Sequence, residues 1–324
     1  MEITTEADYQ IFLDSIMNLL DENEEWRVRY AIYANDIEGQ AEKLTGLSQA
    51  FREGKNISVY TTVSATKSGS NKLNLRYKGQ SIGDLVLRKN GNRELLINVK
   101  TAQTNLRDFG FGDGQELNCD WVSPVGTTFR KYFQQDIPRS NSSGKGNVEH
   151  HIENLLLREF HNGQSANKKL VGIQPVKLSD CFFQFPTPLS ASGKTVKYSE
   201  RYGGGIDILC RQGHGRGTKL LVVEVKDENK RSEPPEVAIK QAIAYAGFLV
   251  RLLRSGSGPQ WWRLFGFTGS LPKKLTIKVA AAMPDNGQIP DFINKIVSIG
   301  EDKIEMHYMP FTMDSYGITK IDLL

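Results

Sequence analysis

The sequence predicts an α/β protein with a mixed sheet flanked by helices, preceded by an N-terminal α+β domain. In the second half, residues 220–223 are apolar on both faces, which is typical of a central strand that is covered on both sides. A long apolar helical pattern follows at residues 235–253, and the prolines at its start suit the first turn of a helix. The first half instead contains two helical patterns followed by several short strands.

The N-terminal half begins with helical patterns at residues 9–20 and 26–51. Four strands are then predicted, separated by Gly, Asn and Ser turn signals, at residues 57–64, 72–77, 84–88 and 94–99. Because the helices precede a run of strands, this half is expected to form an α+β or β-rich domain.

A polar run at residues 136–147 is rich in Ser, Gly and Asn, which favour turns and disorder. We therefore predict a linker there, between a recognition or regulatory domain at residues 1–140 and a second domain at residues 141–324. The second domain begins with a helix that contains Glu153. Its further strands are predicted at residues 181–185, 274–282 and 303–309.

Two acidic residues and one lysine stand at the ends of two apolar strands. Asp207 ends the run Gly-Gly-Gly-Ile-Asp, and the following strand ends in the triplet Glu224-Val225-Lys226. Because side chains alternate along a strand, Glu224 and Lys226 lie on the same face. The carboxylates suit a hard divalent cation, and the ammonium suits the charge that develops in phosphodiester hydrolysis. A buried ion pair with a purely structural role is the alternative interpretation.

The motif resembles that of the PD-(D/E)XK nuclease superfamily, specifically its RecB-like and restriction-endonuclease-like members, over about residues 145–324. Ile206 stands where the family has a proline before the aspartate, and that proline is not a metal ligand. Gln241 and Tyr245 resemble the QxxxY element of the RecB-like branch, and their spacing places both on one helix face. The resemblance implies a restriction-endonuclease-like sheet for this half.

Several members of this family also use a glutamate on a helix ahead of the first strand. Glu153 is our first choice for that position. Glu149 lies one turn earlier on the same helix face, and the sequence alone does not separate the two.

The resemblance implies Mg²⁺-dependent hydrolysis of DNA phosphodiester bonds, with Mn²⁺ as an expected substitute, in restriction, anti-phage defence or repair. Asp207 and Glu224 would supply carboxylate ligands, and the backbone carbonyl of Val225 would complete the coordination sphere. Lys226 would position the attacking water or stabilise developing charge, with Gln241 helping to orient it. The choice of endo- or exonuclease action, the sequence specificity and a monomeric or homodimeric state stay open.

Basic residues surround the turn between the two motif strands and follow the triplet. We expect contacts to nucleic-acid phosphates from four of them, Arg211, Arg216, Lys219 and Lys230. Tyr245 is expected to contact the nucleic acid from the following helix. A solvated hairpin tip is the alternative interpretation of the turn residues.

The composition gives a mild positive charge, since a formal net charge of +4 and a pI of about 8.8 permit a nucleic-acid partner without demanding one. No run approaches the roughly 18 to 20 apolar residues that span a bilayer, and the acidic start does not resemble a signal peptide. We therefore expect a cytoplasmic protein without a membrane partner. The three cysteines are widely separated, which disfavours a disulfide framework or a zinc site.

Two other functional classes stay open at the level of sequence. One is a non-catalytic nucleic-acid-binding or scaffold protein that keeps the nuclease fold. The other is a nuclease effector that is gated by a ligand bound to residues 1–140, although the sequence contains no glycine-rich phosphate-binding motif. A titration with metal ions separates the first alternative from a nuclease, because only the nuclease requires the metal for activity.

Overall fold

The computed structural model describes residues 5–49, 57–62, 71–87, 93–96, 118–135, 146–162, 172–178, 181–192, 195–200, 203–229, 233–315 and 317–324. Its mixed sheets and helices confirm the predicted α/β class. The helices are α1 (Glu6–Asp21), α2 (Glu25–Gln49), α3 (Pro124–Tyr132), α4 (Gly146–Asn162), α5 (Pro235–Leu253) and α6 (Gly258–Leu264). Among the described helices, none combines the length and the apolar character that crossing a membrane would require.

The chain folds into two compact units, and neither is continuous in sequence. The motif unit consists of residues 1–35, 155–176 and 184–324, and the second unit of residues 36–154 and 177–183. This partition differs from the predicted division at residues 140 and 141, because the first 35 residues belong to the motif unit. Most of the predicted linker lies outside the described residues.

The second unit is built on a seven-stranded sheet in the order β5-β4-β3-β2-β1-β8-β7. Its strands are β1 (Ile57–Thr62), β2 (Asn71–Tyr77), β3 (Gln80–Leu87), β4 (Arg93–Leu96), β5 (Asn118–Asp120), β7 (Lys177–Leu178) and β8 (Cys181–Gln184). On β2, alternation of side chains turns Leu73, Leu75 and Tyr77 to the same buried face. The first four strands follow the sequence prediction, with bounds that shift by a few residues.

The strand predicted at residues 181–185 is observed as β8, but the prediction placed it in the wrong sheet. Cys181 is buried in the core of the second unit, together with Leu73 and Leu75. The ring of Phe182 also contacts Tyr60 of β1, with 5.6 Å between ring centroids. These apolar contacts explain why β8 joins the sheet of the second unit rather than the sheet that carries the motif.

The motif unit is built on a mixed sheet in the order β14-β15-β13-β12-β11-β6, with β16 paired to β15. Its strands are β6 (Ile173–Pro175), β11 (Ile208–Gln212), β12 (Lys219–Val225), β13 (Thr276–Pro284), β14 (Ile296–Ile299), β15 (Asp302–Asp314) and β16 (Gly317–Ile321). A separate hairpin pairs β9 (Leu189–Ser192) with β10 (Thr195–Tyr198). β6, β11 and β12 are antiparallel, whereas β13 and β15 run parallel to β12.

The helix α5 connects β12 to the parallel strand β13, as a crossover between parallel strands requires. Thirteen of its residues are buried, so the helix is covered on most of its surface. α1 packs against α5 at Gly247, where a Cβ atom would lie only 2.7 Å from Met17 Cε and 3.0 Å from Leu13 Cδ1. This close approach makes α1 part of the motif unit.

Candidate metal centre

The two motif carboxylates lie side by side on adjacent strands. Asp207 immediately precedes β11, and the antiparallel pairing of Ile208 with Val223 brings Asp207 opposite Glu224 on β12. Carboxylate oxygens of Asp207 and Glu224 lie within 4.8 Å of each other. Two negative charges at this distance repel unless a cation compensates them, so the pair is suited to hold a metal ion.

Lys226 provides one compensating positive charge inside the protein. Its ammonium donates a hydrogen bond to Glu224 Oε1 over 3.0 Å, and the two side chains are only 7% and 4% exposed. The shared strand face was predicted from the spacing of the two residues. A buried ion pair of this kind is compatible with the catalytic and with the purely structural interpretation, because removing either partner would leave a buried charge.

The carboxylate of Asp207 is held by the strand that follows. The backbone N–H of Val225 donates a hydrogen bond to Asp207 Oδ2 over 2.8 Å, which fixes the orientation of the half-buried carboxylate. The same residue, Val225, was predicted to offer its carbonyl oxygen to a metal. That role stays a prediction, since the structure shows only the contact made by its N–H.

The glycines that precede Asp207 pack closely against β9 and α5. A Cβ atom on Gly204 would collide with the hydroxyl oxygen of Tyr245, and one on Gly203 would lie about 2.5 Å from the backbone of Leu189. The Gly204 N–H donates to the carbonyl of Leu189 over 2.7 Å. Glycine is therefore required at these two positions because a larger side chain would collide with its neighbours, and not because of an unusual backbone conformation. The sequence motif did not predict this packing constraint.

The two QxxxY residues occupy different environments although they share a helix face. Gln241 donates a hydrogen bond from Nε2 to the carbonyl of Ala191 on β9 over 2.6 Å. Tyr245 is buried, and its pKa is raised first by burial and then by the negative charges of Glu224 and Asp207. Both residues therefore interact with the backbone of Ala191 on β9, and Tyr245 lies in addition near the carboxylate pair.

The helix α4 carries the two glutamates between which the sequence did not decide. Glu153, the first choice, is buried to 3% exposure, and its Oε1 lies 2.9 Å from His150 Nδ1. This hydrogen bond is the main cause of the raised pKa of His150, which burial partly opposes. Glu149 lies one turn earlier and is half-buried. One carboxylate oxygen of Glu153 therefore contacts a neighbour on its own helix.

Three of the four predicted phosphate-binding residues, Arg211, Arg216 and Lys219, lie at the opposite end of the motif strands from Asp207 and Glu224. Lys219 is about 17 Å from Glu224 along β12, at about 3.4 Å per residue, and its Nζ donates to Glu305 Oε1 over 3.1 Å. Arg211 donates to the carbonyl of Gly266 and to Gln174 Oε1, and burial lowers the pKa of Arg211.

Of the remaining two basic residues, Arg216 is exposed in the turn, and Lys230 lies outside the described residues.

No family model, no curated protein and no solved structure matches the chain.

Proposed function

We propose that the protein is a metal-dependent nuclease that hydrolyses phosphodiester bonds of DNA. The observation that carries the proposal is the pair of carboxylates on Asp207 and Glu224, within 4.8 Å of each other, with the Lys226 ammonium 3.0 Å from Glu224. Such a cluster combines metal ligands with a positive group that can stabilise a charged transition state. A protein that needed only stability would gain more from apolar residues at these positions.

The order of elements supports the finer proposal of a restriction-endonuclease-like fold. The helix α4 precedes β6, β11 and β12, and α5 then leads to β13. The acidic residue before β11, the E-x-K triplet at the end of β12 and the Gln-Tyr pair on α5 follow this order, as in the PD-(D/E)XK nucleases that the sequence resembles. The antiparallel pairing of β6, β11 and β12 places the two acidic positions next to each other.

For the third carboxylate, Glu149 and Glu153 of α4 stay alternatives. Glu153 Oε1 lies 2.9 Å from His150 Nδ1, and a hydrogen-bonded carboxylate can still bind a metal ion. Carboxylate oxygens are the ligands that Mg²⁺ prefers, and Mn²⁺ accepts the same set. The residues therefore fit the cation that the resemblance implies.

In the proposed mechanism, a bound Mg²⁺ would lower the pKa of a coordinated water and neutralise charge on the phosphate. Asp207 and Glu224 would hold the cation, and the hydrogen bond from the Val225 N–H keeps Asp207 oriented for this purpose. Lys226 would donate hydrogen bonds to the attacking water or to the phosphate oxygens as charge develops.

The direct test is incubation of the purified protein with plasmid DNA, end-labelled single-stranded DNA and RNA, each in Mg²⁺, Mn²⁺ and EDTA. We expect cleavage of DNA in Mg²⁺ and Mn²⁺, and none in EDTA. Asp207→Ala and Glu224→Ala should both abolish cleavage while the protein stays folded. Cleavage at the wild-type rate by both variants would show that this site is not the catalytic one.

The buried contact between Lys226 and Glu224 also favours a second candidate, a non-catalytic nucleic-acid-binding protein with this fold. In that case the ion pair replaces the metal, and calorimetry would detect no binding of Mn²⁺. DNA would then bind equally well in Mg²⁺ and in EDTA, and no product would form. Binding of Mn²⁺ that is lost in Glu224→Ala excludes this candidate.

A further inference from the structure

A cavity of about 380 Å³ lies in the motif unit, next to the segments that follow β12 and β13. Its volume falls within the range of small-molecule binding sites, roughly 300 to 1,000 Å³. The lining comes from the segment before and at the start of α5 and from the loop after β13. The lining residues are Asn229, Pro234, Pro235, Glu236, Asn286, Gln288, Ile289, Pro290 and Asp291.

The cavity is close to the candidate metal centre. Asn229 follows Lys226 by three residues, so their Cα atoms are at most about 11 Å apart, at 3.3–3.6 Å per residue. Asn229 Nδ2 donates to the carbonyl of Pro284 over 3.0 Å and to the hydroxyl of Tyr308 over 2.9 Å. These bonds fix Asn229 at the end of β13, and ligands of open α/β sheets bind beyond the carboxyl ends of such strands.

The lining combines hydrogen-bond acceptors with apolar side chains, and none of the described lining residues is a lysine or an arginine. Glu236 and Asp291 provide carboxylates, and three amide side chains add further polar groups. The pKa of the buried Tyr9 is raised first by burial and then by the negative charges of these two carboxylates. The two carboxylates would attract a group that donates hydrogen bonds.

The apolar part of the lining consists of three prolines and Ile289. The side chain of Ile289 is exposed, at 72%. Apolar side chains of this kind can pack against the face of a planar ring. The chemistry therefore favours a ligand with an apolar face and an edge that carries N–H donors.

We propose that this cavity binds a nucleobase with an exocyclic amino group, as in adenine, cytosine or guanine, on the strand that is cut. The proposal rests on the nuclease function and specifies which bases its site would read. Carboxylates accept hydrogen bonds from such amino groups, and asparagine or glutamine pairs with adenine. Thymine has carbonyl oxygens instead of an amino group, and the carboxylates of the lining would repel these oxygens.

The test measures binding of the full-length protein to fluorescent single strands of oligo-dA, oligo-dC and oligo-dT of equal length, in EDTA, and their cleavage in Mg²⁺. A good contact to a base is worth about 1–3 kcal/mol of discrimination, so we expect oligo-dA and oligo-dC to bind about tenfold more tightly than oligo-dT. In Glu236→Gln combined with Asp291→Asn, the difference should fall to about twofold or less, with an unchanged thermal midpoint.

Glu301→Gln is the matched control, because Glu301 is an exposed carboxylate of the motif unit that pairs with Lys274 over 3.2 Å. It should leave the preference unchanged. Cleavage without any base preference would overturn the proposal and leave the nuclease function standing. A preference that depends on Glu236 and Asp291, without cleavage of these strands or of plasmid DNA in any metal, would support the cavity and refute the nuclease. Absence of binding to all three strands would overturn the proposal, while cleavage of plasmid DNA in Mg²⁺ would leave the nuclease function standing.

Discussion

Replacing Asp207 with asparagine should stabilise the metal-free protein and abolish its response to divalent cations. The carboxylates of Asp207 and Glu224 lie within 4.8 Å of each other, and two unit charges at that distance repel by about 3 kcal/mol at an effective dielectric constant of 20. Asparagine removes one charge but keeps an oxygen for the Val225 N–H. The lost attraction to Lys226 offsets part of the gain, so we expect a net stabilisation of about 1–2 kcal/mol in EDTA.

The assay is urea unfolding of wild type and Asp207→Asn, each in EDTA and in saturating Mg²⁺. Wild type should gain stability as Mg²⁺ is added, because a cation that binds only the folded state stabilises it. The variant should not gain, since it lacks one ligand. Glu301→Gln serves as the control, because it removes one negative charge at an exposed position and should leave the Mg²⁺ response of wild type intact.

One result would refute this reasoning. If Asp207→Asn is less stable than wild type in EDTA by more than about 1 kcal/mol, the hydrogen bond of the carboxylate to Val225 outweighs the repulsion. If, in addition, Mg²⁺ does not change the stability of wild type, the carboxylate pair is a structural feature of the β11–β12 hairpin. The proposed metal centre would then be abandoned.

Three further predictions follow from the same contacts. Lys226→Ala should lower the cleavage rate on the order of 10² or more while calorimetry still detects Mn²⁺ binding; an equal loss of metal binding would mark Lys226 as a structural counter-ion. Gly204→Ala should destabilise the protein by about 1–3 kcal/mol through its collision with the Tyr245 hydroxyl, and Tyr245→Phe in the same chain should restore part of that loss in thermal unfolding; no restoration would contradict the packing. A fragment without residues 1–35 should not unfold cooperatively, because it loses the buried side chains of α1; a cooperative transition at the wild-type midpoint would contradict the assignment of α1 to the motif unit.

The sequence predicted the elements around Glu224 because their signals are local. A continuous apolar run identified β12 as a central strand, and all residues from Leu220 to Val225 are indeed buried. The two-residue period then placed Glu224 and Lys226 on one face, where the structure shows them hydrogen-bonded. Such features depend only on neighbours within a few positions, and one sequence is enough to establish them.

Features that depend on distant contacts were not predictable in the same way. The pattern of α1 identified a helix, yet its contacts with distant residues, such as those at Gly247 on α5 and at Ser298, show which unit it packs against. The hydrogen bond between Glu153 and His150 is likewise a side-chain contact that the sequence pattern did not reveal. Helical periodicity places both glutamates on one face and carries no information about their partners.

The direction of the strands explains why chemistry and base recognition would share one edge of the motif sheet. β12, β13 and β15 are parallel, so their carboxyl ends meet at the same edge, and the antiparallel β11 begins there with Asp207. Lys226, the end of β13 and the acidic cavity all belong to that edge. The basic turn at Arg216 lies at the other edge, so a single nucleotide at the proposed metal centre would not contact both. If the protein is a nuclease, Arg216 is too far from the cut bond to contact its phosphate, and Arg216→Ala should change the affinity for long DNA far more than the rate of cleavage.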